Sequence, residues 1–283
     1  MILIKCFTDP ICTWCWGSEP LLRKLETHFP NQIRLEHIMG GLVDDIHGFM
    51  DEGNNIGGNS AAEFNRQVAA HWLEASAKHK MPVNSADFNL FSDEYPSTFP
   101  QNIAYKAAQL TDESKADLFL YNLRLASAAE ARLSSHREVL LEIAAESKLN
   151  TEQFAEHLAD GSAERNFEKD LQEAAAYGVS VFPTYVLEMD NRQISARGYV
   201  RFEQFVEMIA HLSDGKIRPQ SVDFTEENLF ALMKEHPRMA MEEIRQAFDF
   251  SNFAEVQKAL EPFVQTGRIE IVQIGNGDFA VLK

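Results

Sequence analysis

Two cysteines, Cys12 and Cys15, stand two residues apart where one sequence pattern gives way to another. The run before them, 2–7, is apolar and β-prone, which is typical of a buried central strand. The leucine spacing after them predicts a helix over 12–29. A close pair of thiols between a strand and a helix constrains the fold more than any other feature, because it indicates a redox-active or metal-binding turn at a helix start.

Reversible dithiol chemistry needs two sulfurs close enough to join, one of them ionised near neutral pH. At a helix start the first thiol, Cys12, faces unpaired backbone N–H groups, and these lower a thiol pKa in such motifs. The second thiol, Cys15, lies one turn further in. We therefore predict Cys12 as the attacking sulfur and Cys15 as the resolving sulfur.

Two other interpretations of the cysteine pair stay open. The spacing arises by chance in some chains, although its position between a strand and a helix argues against chance here. A zinc site would need two further ligands, and Cys6, His28 and His37 are nearby, but no second C-x-x-C or paired histidines complete a tetrahedron. We favour the redox interpretation and expect no metal and no cofactor.

The rest of the first 177 residues contains a second strand pattern and a long helical region. The strand pattern covers 33–39 and stops at two glycines. Segment 44–60, rich in glycine and asparagine, is too long for a plain connector, and a lid and a mobile surface loop are both open. Alanine-rich helical patterns follow at 61–79, 100–111, 112–128, 136–147, 151–159 and 163–177.

The last hundred residues contain two further groups of patterns. Strands at 184–188 and 193–196 precede a helix at 202–212. After Pro219, three short helices lead to a hairpin, an order that is typical of a winged-helix module; they are predicted at 225–235, 240–248 and 252–265, with the hairpin strands at 268–274 and 278–282.

Several motifs carry a resemblance to a known family. The pattern D-P-x-C-x-x-C-W at 9–16 and the V-x-V-F-P-T segment at 179–184 resemble the DsbA-like thioredoxin superfamily, in which Pro183 matches the cis-proline loop. Other segments are similar to the cytosolic branch, which holds FrnE-like predicted disulfide isomerases and the Clp-protease adaptor for the Spx regulator; they are 15–20, 37–41, 95–96 and 103–108.

The resemblance covers about residues 1–215 and implies an α/β protein with a thioredoxin fold that a helical insertion interrupts. The patterns after Pro219 add a small C-terminal winged-helix-like domain to this prediction. The DsbA-like domain would span 1–219 and the second domain 220–283. Within the first, the thioredoxin part would be 1–43 and 178–215, and the helical insert 60–177. The implied function is that of a thiol-disulfide oxidoreductase or isomerase acting on protein disulfides. The alternative is a non-catalytic or redox-sensitive adaptor of the Clp-protease kind.

The resemblance also implies a substrate site. A cis bond at Pro183 would lie beside Cys12 and let the backbone of Phe182 pair with an extended substrate. Trp14, Trp16 and Phe182 would form an apolar rim, although a core position for Trp16 is also open, since tryptophan is usually mostly buried. The chain departs from the family where many members have a buried acid, because Cys6 stands there.

Charge limits the partners. The net charge of −17, of which residues 221–283 carry −5, disfavours nucleic acid and anionic lipid. The predicted third helix of the tail offers Lys258 against Glu255 and Glu261, where a groove reader would be basic. We expect protein or peptide thiols and disulfides as partners and glutathione or a thioredoxin system as reductant. For the tail we expect a protein contact, and a homodimer interface and a substrate-presenting surface are both open. The opening residues have no signal-peptide pattern, so we expect a cytoplasmic protein.

Overall fold

Strand β1, Ile2–Thr8, lies in the centre of the first sheet of this computed structural model, which describes residues 1–58 and 60–283. Strand β2, Ile33–Met39, pairs with it in parallel on one side, and β3, Thr184–Met189, in antiparallel on the other. Strand β4, Arg192–Arg197, completes the order β2-β1-β3-β4. The four strands agree with the sequence patterns, and the central position of β1 explains its apolar character.

The prediction of one helix over 12–29 is wrong, because the chain forms two. Helix α1 is a single turn, Thr13–Trp16, and α2 spans Glu19–His28. Between them lies Gly17, where any Cβ would overlap the His79 side chain. Pro20 falls in the first turn of α2, where the missing N–H has no helical partner to lose, so it is compatible with the helix start.

Within the described residues, six α-helices lie between β2 and β3, as the alanine-rich patterns predicted. The last five of them form a core that includes Tyr105, Phe119 and Phe154, and the first contributes Phe64 and Trp72 to a separate apolar cluster. None of the helices in the described residues is long and apolar enough to cross a membrane. The six are α3, Ala61–His79; α4, Phe99–Thr111; α5, Glu113–Ala128; α6, Arg137–Glu146; α7, Thr151–Ala159; and α8, Ser162–Ala176.

The remaining elements are one helix beside the first sheet and a second group around a small sheet. Helix α9, Phe202–Leu212, packs against β3 and β4. The second group has its own apolar cluster and an antiparallel sheet of order β5-β7-β6. Its elements are α10, Glu226–Glu235; β5, Arg238–Ala240; α11, Met241–Ala247; α12, Phe253–Gln265; β6, Ile269–Ile274; and β7, Gly277–Leu282.

The second group is packed onto the rest of the chain at two places. Helix α11 lies against α2. The turn between β6 and β7 reaches the loop after α3, where the Asn276 N–H donates to the Val83 carbonyl at 3.0 Å and the Val83 N–H donates to the Asn276 side-chain oxygen at 2.8 Å. Gly275 in this turn has φ +60°, and a Cβ there would overlap the Val83 backbone. The turn is therefore held in place.

Candidate active site

The turn that presents the cysteines is organised by a buried acid, Asp9. Its carboxylate accepts four hydrogen bonds of 2.7 to 2.9 Å, from the backbone N–H groups of Ile11 and Leu42, the Thr98 hydroxyl and the Asn102 amide. Burial raises the pKa of Asp9, and the four donors offset part of that rise. Because the Cys12 N–H also donates to the Asp9 carbonyl, at 3.2 Å, the turn fixes Cys12 at the start of α1.

The two cysteines are free thiols in direct contact. The Cys15 N–H donates to Cys12 Sγ at 3.3 Å, so Cys12 caps α1 with its sulfur. Cys12 Sγ also lies 3.7 Å from the carbonyl oxygen of Phe182. Cys12 is 5% exposed and borders a cavity, whereas Cys15 is 2% exposed and does not line it. Cys12 is therefore the sulfur that a substrate can reach.

The prediction that the Cys12 pKa is low differs from what the structure indicates, because the pKa is raised at Cys12 and lowered at Cys15. Burial raises the pKa of Cys12, and the one-turn helix α1 offers it a single N–H in place of the dipole of a long helix. Burial also opposes ionisation of Cys15, but the hydrogen bond from Cys12, the Arg124 guanidinium and the Thr8 hydroxyl together hold its pKa below the ordinary value. The two thiols thus titrate as a pair whose first negative charge is stabilised on Cys15.

Arg124 supplies a positive charge behind the pair. Its side chain is 1% exposed, and its two terminal nitrogens donate to Glu19 and to the Thr8 hydroxyl. Its Nε has no hydrogen-bond partner within the described part of the chain. Glu19 is bonded at 2.8 Å to Arg23 as well, and the two guanidinium groups hold the Glu19 pKa below its usual range against the effect of burial. The buried charges next to the dithiol are therefore paired.

The same network continues through Glu243 of α11, a helix that belongs with the small second sheet. One carboxylate oxygen of Glu243 accepts from the Tyr121 hydroxyl at 2.6 Å and from the Ala240 N–H at 2.7 Å, and the other lies 3.5 Å from Arg23 Nε. Burial raises the Glu243 pKa to about 8, although Arg23 acts against that rise. A chain of buried groups therefore joins the dithiol side of the molecule to α11.

We expect the free energy of unfolding of the native protein to fall as pH rises, because Glu243 loses its proton less readily in the folded state. Glu243→Gln should remove this pH dependence. The folded state holds a proton on Glu243 up to about pH 8, whereas the unfolded chain releases it near pH ~4.3. Folding stability therefore falls through this window by about 1.4 kcal/mol per pH unit from this group. The variant should gain about 2 kcal/mol relative to the native chain between pH 6 and pH 7.5, measured by urea unfolding; an unchanged difference would contradict the assignment.

A cavity of about 790 Å³ opens beside Cys12. Its walls come from the turn before α1, from α3, from the loop after β2 and from the segments that flank Pro183. They are mainly apolar and rich in aromatic side chains, among them Phe49, Phe64, Trp72, Phe91, Phe182 and Tyr199. Its size is that of a pocket for a small organic molecule or a short peptide segment.

The structure places two of the four side chains predicted to bind substrate in the lining of the cavity. Trp14 and Phe182 line the cavity, and the Phe182–Pro183 bond is cis, as the resemblance implied. Pro183 is buried behind Phe182 and lies outside the lining. Gly40 is required beneath Phe182, because a Cβ there would overlap the Phe182 ring. Trp16 does not belong to the predicted rim: it is 1% exposed, and its Nε1 donates to the Pro82 carbonyl at 2.8 Å.

Segment 44–60 forms one wall of the cavity in its described residues; residue 59, which the prediction of a lid or loop also covered, lies outside them. Phe49 packs edge-on against Phe64 of α3, with ring centres 5.8 Å apart. Asp51 and Ile56 exchange two backbone hydrogen bonds, of 2.7 and 3.0 Å, around a short turn. The described part of this segment is therefore folded onto α3.

Sequence reasoning missed Asp9, Glu19, Arg124 and Glu243 as parts of the site. One signal was available for Arg124, since a charged residue between two leucines of an apolar helix face needs a buried partner. Cys6 is 3% exposed in the core, and burial raises its thiol pKa. Among the described residues, no group of three or more histidine, cysteine or acidic side chains is arranged to hold a metal ion.

The chain is similar to proteins of known name over most of its length. It is 24% identical to the ClpXP adapter protein SpxH of Halalkalibacterium halodurans, a match over 98% of this chain and 87% of that one. It is 23% identical to SpxH of Bacillus subtilis, with the same two coverages. These relatives match the region of the small second sheet as well as the first 219 residues.

A solved structure shares the fold of most of the chain. The cytosolic disulfide reductase DsbM of Pseudomonas aeruginosa superimposes with a TM-score of 0.56 and 23% identity, covering 75% of this chain and 97% of that one. DsbM has also been solved with GSH, and that structure superimposes with a TM-score of 0.52. At these identities the likeness shows the thioredoxin-like α/β fold alone. A family model described as thioredoxin matches residues 6–207, and the chain therefore belongs to the thioredoxin family.

Proposed function

We propose that the chain is a thiol-disulfide oxidoreductase or isomerase that acts on protein disulfides. The observation that carries the proposal is the asymmetry of the cysteine pair. Cys12 borders a cavity of about 790 Å³, whereas Cys15 lies behind it beside the Arg124 charge. One sulfur is accessible, and the other is sheltered and readily ionised. This division suits attack by Cys12 and release by Cys15.

The reaction follows from these positions. The reacting form of the pair carries one negative charge, on Cys15. As a substrate disulfide enters, the Cys15 thiolate takes the Cys12 proton, and the resulting Cys12 thiolate attacks one substrate sulfur. A bond forms between them, the substrate S–S bond breaks, and the departing sulfur leaves as a thiolate that is protonated by solvent. Cys15 then loses its proton to solvent and attacks Cys12 Sγ, which closes the Cys12–Cys15 disulfide and releases the second substrate sulfur. Two electrons pass from protein to substrate, and an external dithiol restores the reduced pair.

We assign residues 1–219 to a DsbA-like domain and 220–283 to a winged-helix-like module. The order α10-β5-α11-α12-β6-β7 supports the second assignment. The β6–β7 turn is held by Val83, and α12 carries two acids against one lysine, which favours a protein contact over a nucleic-acid contact. A homodimer is one form that this contact would take.

The second candidate function is that of a protease adaptor. It is favoured by the relatives named ClpXP adapter protein SpxH, because their match includes the tail. In this function the cavity and the tail would bind a protein destined for degradation, and the dithiol would be inactive or would sense oxidation. We propose the cytoplasm as the compartment for either function. For the enzyme we propose protein or peptide thiols and disulfides as partners, with glutathione or a thioredoxin system as the source of electrons.

The variant Cys15→Ser tests the proposed enzyme. We expect it to accumulate a stable mixed disulfide between Cys12 and a peptide disulfide, because no thiol remains to release the complex. The wild-type protein should pass through this species and end as the Cys12–Cys15 disulfide. Non-reducing mass spectrometry after mixing distinguishes the two products and locates the linked cysteine.

Two results would decide against the enzyme. A mixed disulfide on Cys6 instead of Cys12 would place the chemistry elsewhere. A wild-type protein that forms no covalent species and reduces no disulfide, yet binds a protease substrate equally well with Cys12 and Cys15 replaced by serine, would favour the adaptor.

A further inference from the structure

The cavity beside Cys12 extends well beyond what a disulfide requires. Its far walls are formed by Phe64, Trp72 and Phe91, which belong to the apolar core under segment 44–60. An apolar side chain that entered this space would lose much of its contact with water. The cavity therefore accepts a residue next to the reacting sulfur as well as the sulfur itself.

The charged groups of the cavity all have one sign. Asp51 and Glu52 line its mouth, and no lysine or arginine is among the lining residues within 1–58 and 60–283. His71 lines it too, and burial lowers the pKa of His71, so the ring is uncharged at neutral pH. Lys78 lies outside the lining, with Nζ 5.6 Å from the centre of the Trp14 ring. A ligand in the cavity meets negative charge and apolar surface.

These observations separate two classes of disulfide. Each half of oxidised glutathione carries two carboxylates and one ammonium group, so it would bring net negative charge towards Asp51 and Glu52, and no lysine or arginine of the described lining residues would pair with it. A peptide disulfide flanked by a lysine or arginine and by a large apolar side chain presents the complementary chemistry. Both classes offer the same reacting S–S bond, so the surroundings of Cys12 decide between them.

We propose that this cavity selects disulfides in extended polypeptide segments that carry a basic residue and a large apolar residue beside the cysteine, and that it disfavours glutathione. The proposal rests on the proposed function, since it names the substrate class of the same site. The physiological electron donor is then a protein dithiol in preference to glutathione, because a donor forms its mixed disulfide in the same place.

The test compares disulfides that differ in their flanking charges. Reduced wild-type protein is mixed with oxidised glutathione, with a short peptide disulfide flanked by Lys and Phe, and with the same peptide carrying Glu for Lys. The rate of oxidation of the Cys12–Cys15 pair is followed by mass spectrometry. We expect the Lys-Phe peptide to react about tenfold faster than either of the others, with a ratio that shrinks as salt is added.

Charge reversal at the cavity mouth supplies the matched variant. Glu52→Lys should reduce the preference for the Lys-Phe peptide to about parity. Glu168→Lys changes the net charge equally on the exposed face of α8, away from the lining, and should leave the preference intact. Equal rates for all three disulfides with wild-type protein, or equal effects of the two variants, would overturn the proposal.

A binding measurement separates this proposal from the proposed function. The same peptides with serine in place of cysteine are titrated against the wild-type protein, and the fluorescence of Trp14 and Trp72 in the cavity is recorded. If no disulfide reacts but the Lys-Phe peptide still binds more tightly than the Glu-Phe peptide, the enzyme is refuted and the selectivity of the cavity stands. If exchange occurs but the peptides differ neither in exchange rate nor in binding affinity, the enzyme stands and the selectivity is refuted.

Discussion

Cys12→Ser is expected to reduce disulfide exchange to the uncatalysed rate, a loss of about a thousandfold or more. Cys12 is the sulfur that borders the cavity, and Cys15 is screened behind it, so no second nucleophile takes over. A serine hydroxyl ionises far too weakly to attack a disulfide at neutral pH. The measurement is the reduction of a peptide disulfide by the protein with a dithiol as the source of electrons.

Cys6→Ala is the matched control for this variant. Cys6 is a third thiol of the chain, but it is 3% exposed in the core of the first sheet and outside the cavity lining. Its loss should leave the exchange rate unchanged and lower stability modestly, since one sulfur atom is removed from a packed site. Activity that survives in Cys12→Ser, or disappears in Cys6→Ala, would contradict the placement of the reacting sulfur.

The order of strands and helices was predictable because periodicity and end signals agree. The pattern over 61–79 matches α3 at both ends. Ser60 accepts a hydrogen bond from the Glu63 N–H at its start, and Lys80 turns out of the helix with φ +65°. The cis-proline position was predictable for a different reason, since it came from a resemblance between motifs and not from proline statistics.

The errors in the first thirty residues have physical causes that are not local. The helix pattern continues through Gly17, but a side chain from α3, His79, occupies the space beside it. The apolar character of Trp16 suits a cavity rim as well as a core position. The core position is the observed one, and there the Pro82 carbonyl accepts the hydrogen bond from the indole N–H. A different error concerns the tail, where strand β5, Arg238–Ala240, was missed because three residues are too few to show a period.

The buried charges were beyond a single sequence. Arg124 lies 105 positions from Glu19, and Tyr121 lies 122 positions from Glu243. A charged residue in an apolar helix indicates that a partner exists, but nothing in the composition of the chain says which acid it is. The unexpected order of the two thiol pKa values has partly the same origin, since the hydrogen bond from Cys12 and the charge of the distant Arg124 both lower the pKa of Cys15.

Arg124→Met is expected to lower the free energy of unfolding by about 3 kcal/mol or more and to raise the pKa of Cys15. Methionine fills most of the volume, but Glu19 keeps only its bond to Arg23 and remains buried. The Cys15 thiolate loses the guanidinium charge that offsets its burial. Urea unfolding measures the first effect, and the pH dependence of thiolate absorbance in Cys12→Ser measures the second.

Arg124→Lys distinguishes a structural role of Arg124 from a role in ionisation. Lysine keeps the charge but loses the planar fork that reaches Glu19 and Thr8 together, so stability should fall while the Cys15 pKa stays near its native value. If methionine and lysine lower stability alike and neither moves that pKa, Arg124 only fills the core. A pKa that rises with methionine and not with lysine means that the resolving thiol depends on the Arg124 charge. In that case α5, far from the cysteines in sequence, supplies the positive charge that favours the Cys15 thiolate in a chain that has Cys6 where many family members have a buried acid.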